Sequence, residues 1–178
     1  MTSSNQNMKS YRALKTEQGV FTTPPYSTKI KPLWRFVNAD VAATSAAAIW
    51  EKFEMYRNAN DFIGMDICRK FLQMGRTRSL RYALRRGGKK YGTSSSTGAA
   101  TGESETTGGR VGKQPTRKEI PRTGKIYDEE KSKGASIFEN YVKRCWEDET
   151  YVSAFEEWKA KHNTQQPKAK SVGSKEGG

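Results

Sequence analysis

Between Asp61 and Tyr91 the chain reads DFIGMDICRKFLQMGRTRSLRYALRRGGKKY, and any fold must bury one side of this stretch while wetting the other. Asn60-Asp61 can cap a helix by accepting from its first free amides. Phe62, Met65, Cys68, Phe71 and Leu72 then recur at three-and-four spacing, which gathers them on one helical face. Gly75 is expected to interrupt the run. A second short helix is expected from Thr77 to Arg86, with Leu80, Ala83 and Leu84 inward and Gly87-Gly88 ending it. No acidic residue occurs from Ile67 to Ala100, whereas Arg69, Lys70, Arg76, Arg78, Arg81, Arg85, Arg86, Lys89 and Lys90 are all basic. The expectation is an amphipathic helical pair with a cationic outer face.

The rest of the chain agrees in sign. Net charge is +13 over 178 residues, with a pI of about 9.8, which favours nucleic acid, an acidic protein or an anionic membrane surface as partner. Setting aside two polar tracts leaves roughly 120 residues for folding, enough for one modest core. Cys68 and Cys145 lie among apolar neighbours and read as reduced core thiols, too few for a disulfide framework. No apolar run follows Met1, and none approaches the ~18 residues of a spanning helix. The expected location is therefore intracellular, in the cytoplasm or nucleus, and not secreted.

Residues 1–10 are polar and expected to be a disordered tail. From Tyr11 to Phe36 the reading is an extended arm, with a β-like run at Gly19–Thr23 halted by Pro24-Pro25 and room for a short β-hairpin. Tyr26, Ile30, Leu33, Trp34 and Phe36 are its apolar anchors. Asn38 or Asp40 starts a long helix to about Asn58, whose alanines suit either helix propensity or close helix packing. Residues 92–125 are rich in Gly, Ser and Thr, bury nothing, and are expected to be a flexible insert. Its Ser and Thr residues are read as solubilising rather than as modification sites. Ile137, Phe138, Tyr141, Val142, Cys145 and Trp146 form the stripe of a further helix. Asp148 then caps a last helix carrying Tyr151, Phe155 and Trp158. Segment 135–166 holds four basic and six acidic residues against nine and two in 61–92, so the two can pack by charge complementarity. Residues 167–178 are expected to be a disordered basic tail, leaving a single helical domain over 11–166 interrupted by the insert.

Catalytic chemistry has little to draw on. The single histidine, His162, falls at the end of the last helix, where a solvated or capping role is expected. HExxH, CxxC, GxSxG and a phosphate-binding glycine loop are all missing. Gly87-Gly88-Lys89-Lys90 ends a helix, whereas a phosphate loop opens one. Asp61 and Asp66 read as a cap and a salt-bridge partner. No catalytic residue, metal ligand or cofactor is assigned. The helix–Gly–helix order only partly fits a DNA-binding helix-turn-helix, because Phe71 is bulky and Arg76 and Arg81 occupy places that usually turn inward.

Five segments together resemble an uncharacterised family catalogued as a domain of unknown function: QGV (18–20), PPY (24–26), PLWRF (32–36), DFIGMDICRKFLQMGRTRSLRYA (61–83) and GGKKY (87–91). The resemblance is close over Tyr11–Tyr91 and looser from Tyr127 to His162. The long insert and both tails depart from the family pattern. A shared fold is what the resemblance implies, with no activity attached.

The expected fold is therefore mainly α, four to five helices with an extended N-terminal arm. The expected function is non-catalytic binding of nucleic acid or another polyanion by Arg76, Arg78, Arg81, Arg85, Arg86, Lys89 and Lys90. Tyr26, Trp34, Arg35, Tyr82 and Tyr91 are the candidates for stacking or for a groove. The alternative is an interaction or structural module for an acidic protein. The third reading is an enzyme whose site joins Tyr26, Trp34 and Arg35 to Asp61 and Asp66.

Overall fold

A computed structural model describes residues 10–92 and 118–163. Five α-helices occur among these residues: α1 (Tyr26–Ile30), α2 (Ala39–Asn58), α3 (Phe62–Leu84), α4 (Glu129–Glu147) and α5 (Glu149–Trp158). The mainly α expectation stands. The expected tails and the centre of the expected insert lie outside the described residues.

Three of these helices begin where the sequence places a cap, and a fourth, α4, begins at a cap not expected from the sequence, Asp128. The Asn38 side chain accepts from Val41 N, Asp61 from Gly64 N, Asp128 from Lys131 N and Asp148 from Tyr151 N, each satisfying an amide with no partner inside its own helix. Asp148 stands between α4 and α5, so one residue stops one helix and starts the next.

The expected break at Gly75 does not occur. α3 runs unbroken through it for 23 residues, and a helix-turn-helix is thereby excluded. Gly75 is instead a contact point: a Cβ there would lie 2.7 Å from the ring of Phe138 on α4, which is fully buried. The glycine lets α4 approach α3 closely, at the cost of its poor helix propensity. The alanine-rich start of α2 serves the same end. Ala42 and Ala46 are fully buried, and Ala42 faces Gly134 of α4.

α3 is the axis of the core. From Phe62 to Leu72 every residue is buried, so its N-terminal half is covered on all sides by α1, α2, α4, α5 and the arm. The arm is also more helical than its sequence suggests. Residues 19–23 form turns rather than a strand, and α1 continues into a 3₁₀ turn at Lys31–Leu33. Among the described residues there is no strand, only an antiparallel bridge between Tyr91 and Glu119. That bridge moves the boundary of the insert. Residues 118–127 return alongside the end of α3, with Ile120 N donating to Lys90 O and Tyr127 N to Ala83 O. Among the described residues no helix is long and apolar enough to cross a membrane.

Candidate functional site

Two polar constellations stand out, one inside the core and one on its surface. The inner one is centred on Asp66. Its carboxylate accepts from Arg69 (2.6 Å and 3.1 Å), Tyr151 OH (2.7 Å) and Tyr11 OH (2.5 Å) and forms an ion pair with Lys70 Nζ (3.3 Å), and Asp66, Arg69 and Lys70 are fully buried. Arg69 also donates to Leu14 O, Lys15 O and Gln73 Oε1, and Lys70 to Tyr11 OH and Gln18 O. Buried charge of this kind is tolerated only when it is paired and hydrogen-bonded. Burial pushes the Lys70 ammonium down, with Asp66 opposing, and pushes the Tyr11 and Tyr151 phenols up, with Asp66 reinforcing.

The spacing of Asp66, Arg69 and Lys70 at i, i+3 and i+4 holds the three together on α3, and the arm and α5 supply the lid. Asp66 as a salt-bridge partner was readable in the sequence. Its buried partners were not, and Arg69 and Lys70 leave the cationic outer face to which their sequence assigned them. The constellation fastens Tyr11–Gln18 and α5 to α3.

Of the residues grouped for an enzyme reading, Tyr26 and Asp61 meet, whereas Trp34, Arg35 and Asp66 have other partners. Tyr26 is buried, with its OH donating to Asp61 at 2.8 Å. Trp34 packs against Phe21, Phe36 and Phe71, and Arg35 is exposed, donating to the carbonyl of Trp34. Asp66 belongs to its own closed network. His162 stacks on Trp158 at 4.2 Å, and the two buried cysteines are free thiols. Among the described residues no three His, Cys, Asp or Glu side chains gather as a metal site.

The outer constellation lies at the C-terminal end of α3. Arg78, Arg81, Arg86 and Lys89 are exposed and Lys90 is half-buried over the ring of Tyr91. Arg81 Nε donates to Gly88 O at 2.7 Å, which closes the turn after the helix. Gly87 and Gly88 both take positive φ there (61° and 66°), a conformation L side chains rarely adopt. Two of the expected ridge residues are engaged elsewhere. Arg85, 6% exposed, donates to Lys90 O, Ile120 O and Glu119, binding the returning segment to the helix. Arg76 pairs with Glu139 of α4 at 3.4 Å, the one ion pair between the two oppositely charged segments among the described residues.

The returning segment compensates. Lys118, Arg122 and Lys125 are exposed beside the end of α3, residues that the composition of the insert had concealed. Over 75–92 and 118–125 there are ten basic residues and one acidic residue, Glu119, which Arg85 neutralises at 2.7 Å. Among the described residues, no ion pair involves Arg78, Arg81, Arg86, Lys89, Lys90, Lys118, Arg122 or Lys125. Of the stacking candidates, Tyr82 (41% exposed) joins Trp34 through Phe36, and Tyr91, 45% exposed, lies in the backbone bridge with Glu119. A cation at the end of a helix also complements the negative pole of its dipole, a structural gain of up to ~1 kcal/mol that does not need ten charges.

Between α3 and the returning segment lies a cleft of about 400 Å³ lined by Leu84, Ile120, Pro121 and Tyr127, with Arg86 and Lys89 at its edge. The family profile described as "Domain of unknown function (DUF4385)" matches residues 2–161. No curated protein and no solved structure matches the chain.

Proposed function

The chain belongs to the DUF4385 family, a domain of unknown function, and from the geometry of its basic end we propose that it binds the phosphate backbone of nucleic acid. The observation that carries this reading is the exposed cationic surface formed by Arg78, Arg81, Arg86, Lys89, Lys118, Arg122 and Lys125 around the end of α3, none of them in an ion pair with another described residue. Paired surface charges contribute little to a partner, whereas unpaired cations release counterions from a polyanion when they meet its phosphates. Arg85 and Arg76 act at one remove. They hold the returning segment and α4 in place while exposed neighbours make the contacts. Such binding is largely independent of base sequence.

The test is a fluorescence-anisotropy titration with labelled single- and double-stranded DNA and RNA at about 50 and 200 mM salt. The comparison is a triple variant, Arg78→Ala, Arg86→Ala and Lys89→Ala, which touches no ion pair among the described residues and leaves Arg85 intact. The expected result is binding that weakens with salt, with the slope of log K against log salt reduced by about two to three in the variant. Absence of binding at low salt, or a variant indistinguishable from the parent, overturns the reading and turns attention to an acidic protein partner.

A further inference from the structure

Leu84, Ile120, Pro121 and Tyr127 form the apolar walls of the 400 Å³ cleft, a volume inside the range of about 300–1,000 Å³ typical of ligand sites. Ile120 (38%) and Tyr127 (42%) remain substantially exposed, although both belong to a segment pinned by backbone hydrogen bonds. Among the described residues this apolar surface is thus left uncovered. Among the described residues nothing acidic lines the cleft, and Glu119 next to it is neutralised by Arg85. Arg86 and Lys89 are exposed at its edge, and Lys125 Nζ lies 5.6 Å from the ring centre of Tyr127. Gly87 contributes bare backbone: a Cβ there would meet nothing within 4 Å.

Apolar walls with a wholly cationic edge match a ligand that is flat and apolar at one end and anionic at the other. We infer that this cleft takes one unstacked base of a single-stranded nucleic acid, with its own or the adjoining phosphate on Arg86 and Lys89. The inference rests on the proposed phosphate-binding surface and adds to it a preference between kinds of nucleic acid. A base in a duplex is paired and stacked and does not reach the cleft without unpairing, which costs a few kcal/mol. A base in a single strand is free to turn in, and base stacking on an aromatic side chain is tolerant of sequence.

The experiment compares a labelled oligothymidylate with an abasic oligonucleotide of the same length and charge, using the full chain at low salt. Tyr127→Ala and Ile120→Ser are the test variants and Tyr82→Ala the control, each checked for native circular dichroism and melting. The parent is expected to bind the base-bearing strand about tenfold more tightly than the abasic one. Both cleft variants should erase this difference while leaving abasic binding unchanged, because the cations remain. Equal affinity of the parent for both strands, lowered by the triple cation variant, overturns the cleft and leaves the phosphate-binding reading standing. No binding of either strand overturns both. Loss of the preference in Tyr82→Ala but not in Tyr127→Ala would move the base to the Trp34–Phe36–Tyr82 row and away from the cleft. Free AMP binding as tightly as the oligonucleotide would assign the cleft to a mononucleotide and overturn the strand assignment.

Discussion

At the scale of single residues, Asp66 sets the terms for its neighbours. Two cations, Arg69 and Lys70, are buried beside one carboxylate, so removing its charge leaves both without a counter-ion. Breaking a buried pair from one side costs roughly 3–5 kcal/mol, far more than an exposed pair contributes. Asp66→Asn, nearly isosteric, is therefore expected to lower the unfolding free energy by about that amount in urea titration. A loss below ~1 kcal/mol would show that water reaches the network. The spacing of these residues was legible in the sequence and their burial was not. Arg and Lys are rarely fully buried, and local pattern assigns them outward unless something distant covers them. Here the cover comes from Tyr11–Gln18 and Tyr151, more than fifty residues away in either direction.

Among the elements, α3 was the most legible in position and the least in continuity. Its cap at Asp61 and its end near Gly87 follow from local chemistry, as do the caps of α2 and α5. Gly75 reads as a break because glycine costs a helix about 1 kcal/mol relative to alanine. The helix runs through it because packing against Phe138 outweighs that cost. This opposition gives a prediction with a sign. Gly75→Ala gains the ~1 kcal/mol of propensity but forces a Cβ to 2.7 Å from a fully buried ring, an overpacking penalty of about 1–3 kcal/mol. Net destabilisation is expected in thermal or urea unfolding, with recovery when Phe138→Leu is added. Stabilisation by the single substitution would mean that α4 can shift away from α3 without loss.

Over the whole molecule, the buried phenols and thiols tie stability to alkaline pH. Burial, reinforced by Asp66, raises Tyr11 and Tyr151 above the ordinary phenol value of 10.0. Burial likewise raises Cys68 and Cys145 above the ordinary thiol value of 9.0. Groups raised in the folded state ionise first in the unfolded chain, so their stabilisation is complete below those ordinary values and declines as pH rises past them. Lys70, lowered by burial, has the opposite sign, but its contribution is confined to pH below its ordinary 10.5. The expected stability curve therefore falls from about pH 9 and more steeply above 10. Tyr11→Phe should flatten the steeper limb while lowering stability at neutral pH, as followed by urea midpoints and tyrosinate absorbance. A flat curve between pH 9 and 11 would contradict the burial of these groups.

The sequence by itself determined that the chain is mainly helical, where α2, α3 and α5 are capped, and that the chain is strongly cationic, because caps, apolar periodicity and charge act over a few residues. Only the tertiary structure decided which cations face solvent. Arg69, Lys70 and Arg85 turn inward to partners far along the chain, and Lys118, Arg122 and Lys125 are delivered to the end of α3 by a segment whose composition reads as linker. The cleft at Leu84 and Tyr127 is also a product of that return. Its walls lie more than thirty residues apart, and no local pattern encodes a contact made across such a distance.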